Sequence, residues 1–130
     1  ASVVANCRIS GRDSVASLLE HFKTYCGKDV EVAVLQSSEP TPYANTKGAE
    51  WAKVERAINT AYPDAIVAPY VMLACSDSRH FCKICDNVMR FSPLRLTKEE
   101  RGLIHAANER LPLEKAADCA RFYAALIGQL

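Results

Sequence analysis

The sequence of 130 residues predicts an α/β chain of mixed α+β type, because segments with a strand period alternate with segments of helical spacing. In residues 3–10, apolar and polar side chains alternate, as they do in a strand with two different faces. Apolar side chains then recur at helical spacing in residues 15–26, and residues 30–34 alternate again. These segments predict a strand–helix–strand unit, with Asp13 as the helix N-cap and Gly27 as its stop.

A longer α/β piece follows a linker, residues 37–48, which contains two prolines and several small polar residues. The sequence is therefore divided into residues 1–36, the linker and residues 49–130. The elements predicted in the last piece are a helix over 51–62 ended by Pro63, strands over 65–73 and 86–93, a capping box at Thr97 and Glu100, and a final helix from Leu113.

Composition limits the classes of partner. A net charge of +1 and an isoelectric point near 7.8 give no electrostatic case for a nucleic-acid partner. The longest apolar run, residues 65–75, is too short to span a membrane. We interpret most of the six cysteines as small buried residues in a reducing compartment, so a cytoplasmic location is expected. A secreted, disulfide-bonded form is the alternative.

Two polar features follow or interrupt predicted strands. Residues 75–81, CSDSRHF, place hydroxyls, a carboxylate and a guanidinium where a strand opens into a loop. This pattern fits either a ligand-binding loop or a plain turn, which serine and aspartate favour. Arg8 lies on the polar face of the first predicted strand, where it is either solvated or a two-pronged clamp for a carboxylate.

Residues 101–112, RGLIHAANERLP, gather an imidazole, an amide, a carboxylate and a guanidinium. In a helix, His105, Asn108 and Glu109 would share one face; in a loop, Pro112 would mark the entry to the next helix. The histidine is a core residue, a general base or a metal ligand on this evidence. The CKIC stretch at 82–85 has zinc-knuckle spacing, although apolar packing around it explains the pattern as well.

Four stretches carry a family resemblance when they are read in order along the chain. They are ANCRISGRDSVASLLEHF, AYPDAIVAPYVMLACSDSRHF, VMRFSPL and IHAANERLPLEKAADCARFYAALI. Together they resemble the C-terminal portion of M20 family zinc metallopeptidases, in the branch of carboxypeptidase S, Gly-Xaa carboxypeptidase and the N-acyl-amino-acid hydrolases. Each motif is short, and the resemblance rests on their order and spacing across the whole chain.

The resemblance implies a catalytic α/β domain that holds two zinc ions and an inserted lid domain that dimerises. Residues 1–36 would be the second half of the lid, and residues 49–130 the C-terminal part of the catalytic domain. His105 is then implied as a zinc ligand, with Asn108 and Glu109 shaping its loop and orienting the imidazole. The residues implied at the substrate are Arg8, which would contact the free carboxylate, with Asn6, Ser76, Asp77 and Arg79.

The sequence departs from the family pattern at Ala106, where glycine is usual, and at Cys75-Ser76, where Gly-Thr is common. The remaining zinc ligands and the catalytic glutamate are expected upstream of Ala1, so no catalytic residue is assigned and the chain alone is expected to be inactive.

The predicted function is that of a C-terminal fragment of a zinc hydrolase, which cleaves the amide of small peptides or N-acyl amino acids next to a free carboxylate. The expected partners are this substrate and further copies of the chain, associated through the lid or exposed strand edges, without nucleic acid or a membrane. The alternatives are a non-catalytic binding or dimerisation module and a structural zinc domain built on Cys82 and Cys85.

Overall fold

The computed structural model describes residues 1–72 and 74–130. In this part of the chain five α-helices are present: α1 (Val15–Cys26), α2 (Ala49–Ala61), α3 (Ser78–Phe81), α4 (Lys98–Arg101) and α5 (Leu113–Ile127). The described residues form two compact units. The first unit combines residues 1–44 with 72–88, and the second combines residues 45–71 with 89–130.

The helix of the first unit, α1, begins and ends at residues with clear local signals. Ser14 is its N-cap, and the side chains of Ser14 and Ser17 each accept a hydrogen bond from the other residue's backbone N–H, which forms a reciprocal capping box. The cap was predicted one residue earlier, at Asp13. Gly27 ends the helix with φ of 83°, a backbone conformation that glycine adopts without a Cβ penalty, so the predicted stop is confirmed.

Tyr43 ties two distant parts of the first unit together. Its hydroxyl lies 3.3 Å from Ser10 Oγ and accepts a hydrogen bond of 3.2 Å from the backbone N–H of Gly11. The ring approaches Gly11 so closely that a Cβ at that position would lie 2.8 Å from a ring carbon. A side chain at position 11 would therefore force the Tyr43 ring to move away.

The second unit is built on the packing of α2 against α5. Ala57 and Ile58 of α2 are buried with Phe122 of α5, which is 2% exposed. The helix predicted over 51–62 is confirmed, although α2 begins two residues earlier, at Ala49, and Tyr62 is its C-cap directly before Pro63. The partly buried residues around this core are Val54, Ala61, Ala65, Val67, Ala125 and Leu126.

Proline also defines the start of α5. Pro112 is the N-cap residue and Leu113 the first helical residue, as predicted, because a proline in this place sacrifices no helical hydrogen bond. Earlier in the unit, the predicted capping box is confirmed: Thr97 Oγ1 accepts from the Glu100 N–H, and Glu100 Oε2 accepts from the Thr97 N–H.

The prediction of an α/β fold is wrong for the residues that the structure describes, because none of them forms a strand or joins a sheet. Residues 3–10, 30–34 and 86–93 carry strand-like patterns, but these segments are irregular; the predicted strand 65–73 is irregular up to 72, and Leu73 lies outside the described residues. The physical reason is that alternation favours a half-buried extended segment, whereas a strand also needs a partner for its backbone hydrogen bonds.

Because these segments do not pair into a sheet, many of their apolar side chains are exposed to solvent. Val3 is 92% exposed and Ile66 is 95% exposed, although both belong to predicted strands. None of the helices in the described part of the chain combines the length and apolar character needed to cross a bilayer.

Candidate functional site

The first unit brings together two groups that lie far apart in the sequence. Arg8 Nη1 donates a hydrogen bond of 3.3 Å to the sulfur of Cys75, across a separation of 67 residues. The guanidinium of Arg8 therefore meets the start of the loop that contains Ser76, Asp77 and Arg79. The sequence predicted Arg8 and residues 76, 77 and 79 at the substrate, and the structure joins Arg8 to the residue that directly precedes these three.

The loop that follows Cys75 is held by its own hydrogen bonds. The hydroxyls of Ser76 and Ser78 lie 2.6 Å apart, and the Ser78 N–H donates to Ser76 Oγ at 3.3 Å. The Arg79 N–H donates to the Ser76 carbonyl at 3.3 Å, which begins the helical turn of α3. Serine side chains favour such turns because their hydroxyls replace backbone partners.

The charged groups of this loop face solvent. Asp77 is the N-cap of α3, and its side chain forms no capping hydrogen bond. Arg79 Nε lies 3.3 Å from His80 Nε2 in a donating geometry. Asn6 is exposed, two residues before Arg8. The arrangement offers guanidinium and hydroxyl donors to an anionic ligand, for which the planar fork of arginine is well suited.

His105 lies in a loop between α4 and α5, so the loop interpretation of residues 101–112 is confirmed over the helical one. The Ala106 N–H donates to the Leu103 carbonyl at 3.0 Å, and the Glu109 N–H donates to the Ala106 carbonyl at 3.2 Å. These bonds form two consecutive turns that carry His105 and Asn108. The imidazole is exposed to solvent, as are Asn108 and Glu109.

The backbone of this loop is unusual at two residues. His105 has φ of 63° and Asn108 has φ of 65°, and they are the two non-glycine residues with positive φ in the described chain. Left-handed backbone is uncommon for residues other than glycine, although asparagine and histidine tolerate it better than most. Such conformations cost of order 1–3 kcal/mol and gather at functional sites, so the loop geometry supports a hypothesis of function at His105.

A surface depression of about 470 Å³ lies close to this loop along the chain. Its lining is Glu99, Glu100, Leu103, Arg110, Leu111 and Pro112. Lys115 Nζ forms an ion pair with Glu100 Oε2, and the two side chains are only 17% and 20% exposed. The hydrogen bond from Lys115 is the main cause that lowers the pKa of Glu100 below its ordinary value, and the hydrogen bond from the Thr97 N–H is the second.

Sequence reasoning assigned Glu100 to a capping box but missed Lys115 as its partner. The signal was weak, because the spacing of 15 residues between Lys115 and Glu100 has no periodic meaning. Cys75 was noted as a departure from the family pattern, and its contact with Arg8 was missed because 67 residues separate the two.

The described residues provide one exposed imidazole in the His105 loop but no complete metal cage. Within residues 1–72 and 74–130, no group of three or more histidine, cysteine, aspartate or glutamate side chains could hold a metal ion. His105 belongs to the second unit, whereas Arg8 and the 75–79 loop belong to the first. The donor chemistry of His105 suits zinc as a single ligand, and further ligands would have to come from elsewhere.

Comparisons with known proteins identify the relatives of this chain. It is 28% identical to the probable carboxypeptidase S-like 2 of Dictyostelium discoideum over 129 residues, which are 98% of this chain and 25% of that protein. It is 33% identical to the N-fatty-acyl-amino acid synthase/hydrolase PM20D1 of Xenopus tropicalis, again over 98% of this chain and 25% of the relative. The corresponding protein of Mus musculus is 29% identical over 94% of this chain and 25% of its own length.

These relatives carry the names of a carboxypeptidase and of amino acid synthase/hydrolases, and the chain spans about a quarter of their length. They confirm the resemblance to the C-terminal portion of M20 family peptidases that the sequence motifs predicted. No family model matches the chain, and no solved structure matches it significantly.

Proposed function

We propose that this chain is the C-terminal part of a metal-dependent hydrolase that cleaves the amide of small peptides or N-acyl amino acids next to a free carboxylate. The observation that carries the proposal is the hydrogen bond of 3.3 Å between Arg8 and Cys75. It joins the guanidinium that was predicted to bind the substrate carboxylate to the start of the loop that was predicted to line the substrate. The substrate class is taken from the names of the relatives, which are a carboxypeptidase and an N-fatty-acyl-amino acid hydrolase.

In this proposal Arg8 holds the carboxylate of the substrate. A guanidinium donates two parallel hydrogen bonds to a carboxylate, which sets the direction of the bound molecule as well as its affinity. Ser76 and Ser78 supply hydroxyls in the loop that follows Cys75, and Arg79 adds a second positive charge in the same short loop. The chain would thereby recognise the amino-acid end of the substrate and leave the acyl group to other surfaces.

His105 would serve as one ligand of a zinc ion, with Asn108 and Glu109 shaping the loop that presents it. When bound, zinc supplies a Lewis acid and lowers the pKa of a coordinated water. The remaining ligands and the general base would belong to other parts of a longer polypeptide, since the relatives are about four times the length of this chain.

A cytoplasmic location and self-association of the chain stay predictions. Light scattering at increasing concentration tests the self-association.

Replacement of His105 tests the metal assignment. In the longer polypeptide that includes this chain, His105→Ala is expected to abolish hydrolysis of an N-acyl amino acid and to lower the zinc content measured by elemental analysis. His21→Ala, at an exposed position of α1, is the matched control and should retain both activity and metal. Wild-type turnover and full zinc content in the His105 variant would remove this residue from the proposal.

Replacement of Arg8 tests the carboxylate assignment independently. Arg8→Lys keeps the charge but loses the fork, so KM for a substrate with a free carboxylate should rise about 10-fold or more, corresponding to roughly 1.5–3 kcal/mol for a charged hydrogen bond. The methyl ester of the same substrate should respond little. Arg12→Lys, also exposed, is the control. Equal effects on acid and ester would contradict the role of Arg8, and a wild-type longer polypeptide that binds the substrate without hydrolysing it would favour a non-catalytic binding module.

A further inference from the structure

The CKIC stretch at 82–85 is not used by the proposed function, and the structure gives it a definite conformation. The helical turn of α3 continues beyond Phe81: the Cys82 N–H donates to the Ser78 carbonyl at 3.3 Å, and the Cys85 N–H donates to the Phe81 carbonyl at 2.9 Å. Between them the Ile84 N–H also donates to the Phe81 carbonyl, at 3.0 Å. Cys82 and Cys85 therefore lie one helical turn apart.

This spacing is within reach of a disulfide bond. Residues i and i+3 of a helical turn have Cα atoms about 5 Å apart. Disulfides join Cα atoms roughly 4.4–6.8 Å apart, so rotation of the two side chains with a small backbone adjustment would bring the sulfurs together. Neither cysteine is part of a disulfide bond in the structure. We propose that Cys82 and Cys85 form a dithiol site that a low-molecular-weight disulfide oxidises reversibly to an intramolecular disulfide.

The structural zinc alternative is less suited to this site. Zinc in proteins takes four ligands, or three and a water. The described residues contain no group of three candidate ligands around Cys82 and Cys85. A thiol pair without a third ligand can still exchange with a disulfide, because that reaction needs only an attacking and a resolving sulfur.

The two thiols differ in access, which sets the order of the reaction. Cys85 is exposed, whereas Cys82 is half-buried and its thiol donates to the Ser78 carbonyl at 3.5 Å. Since access controls which sulfur meets an oxidant in solution, Cys85 reacts first and Cys82 resolves. Oxidation then removes the thiol proton with which Cys82 contacts Ser78, while the Cys82 N–H can still donate to the same carbonyl.

With oxidised glutathione the reaction balances in two steps. The Cys85 thiolate attacks one sulfur of the glutathione disulfide, so a mixed disulfide forms and one glutathione thiolate leaves. The Cys82 thiolate then attacks the Cys85 sulfur, which forms the Cys82–Cys85 bond and releases the second glutathione. The protein loses two electrons and two protons, and the glutathione disulfide gains them as two thiols.

Peptide mapping of the intact chain distinguishes this bond from every other pairing. Trypsin cleaves after Arg79, Lys83 and Arg90, so the two cysteines fall on separate peptides, HFCK and ICDNVMR. After incubation with oxidised glutathione and blocking of residual thiols, these peptides should appear joined to each other. Treatment with a reducing agent before digestion should return them to the separate masses. Digestion before any oxidant is added provides the baseline.

Single variants test the order of attack. Cys82→Ser should accumulate glutathione on Cys85, because the resolving thiol is gone. Cys85→Ser should react several-fold more slowly at Cys82. Cys7, Cys26 and Cys75 are exposed in the same unit and serve as internal standards for simple mixed disulfides.

The proposal is overturned if the wild-type chain gives only glutathione adducts at positions 82 and 85, or if either cysteine is joined to Cys7, Cys26 or Cys75. Faster modification of Cys82 than of Cys85 in the single variants would overturn the order of attack. The wild-type map decides the main claim even if a serine variant folds poorly. None of these outcomes depends on hydrolase activity.

Discussion

The carbonyl of Pro93 accepts two side-chain donors, and this sharing predicts a non-additive response to mutation. Tyr62 donates its hydroxyl to the Pro93 oxygen at 2.7 Å in a buried contact, and Cys119 Sγ donates to the same oxygen at 3.0 Å. Tyr62 is 8% exposed, and Pro93 is buried. Either donor alone keeps this acceptor satisfied, whereas loss of both leaves a buried carbonyl without these partners.

The expected losses in the free energy of unfolding depend on whether the Pro93 carbonyl keeps one of its two donors. Tyr62→Phe removes one neutral hydrogen bond and should lower the free energy of unfolding by about 0.5–1.5 kcal/mol. Cys119→Ala removes a weaker donor together with one half-buried thiol and should cost about 1 kcal/mol. The double variant adds the penalty of an unsatisfied carbonyl, about 1–3 kcal/mol, so its total loss should exceed the sum of the singles by about 1 kcal/mol or more.

Urea unfolding followed by Trp51 fluorescence measures these values. Trp51 is the single tryptophan of the chain and lies half-buried in α2, so its signal reports on the unit that contains Tyr62, Pro93 and Cys119. Tyr123→Phe, at a position 47% exposed, is the control and should change stability little. Additivity of the two single variants within about 0.5 kcal/mol would refute the shared-acceptor argument.

Two further predictions concern pH and backbone conformation. The pKa of Glu100 is lowered in the folded protein, first by Lys115, so its contribution to stability is present above the ordinary value of 4.5 and is lost as pH falls through the folded value. Urea midpoints measured from neutral to acidic pH should therefore fall less steeply in Glu100→Gln than in the wild type, and identical slopes would contradict this. Gly27→Ala forces alanine to a φ of 83° where nothing lies within 4 Å of the new Cβ, so α1 should lose about 1 kcal/mol from backbone strain alone. Hydrogen exchange of the α1 amides measures the loss, and unchanged protection of these amides in the variant would contradict the prediction.

The helix ends of this protein were largely predictable from neighbouring residues. Thr97 and Glu100 satisfy each other's backbone donors over three residues, and Gly27 and Pro112 act through their own backbone preferences. These signals depend on interactions within a single turn, so no other part of the chain can change them easily. The family resemblance was also readable from the sequence, because the order of short motifs survives at low identity.

The individual residues of the candidate site were predicted from the sequence, but their contacts with one another were not. Nothing in the sequence places Arg8 against Cys75, because a contact across 67 residues depends on the path of the chain between them. The left-handed backbone of His105 and Asn108 was equally hidden, since most histidines and asparagines adopt ordinary conformations.

By itself the sequence determined the extent of α1, the capping box that begins α4 and the start of α5. It also indicated which residues are chemically suited to bind a carboxylate or a metal, and which family the chain resembles. Tertiary structure alone decided that the alternating segments 3–10 and 30–34 form no sheet in the described chain, and that Arg8 meets the loop after Cys75. The reason is that helical hydrogen bonds close within four residues, whereas a strand and a binding site are completed only by partners distant in the chain.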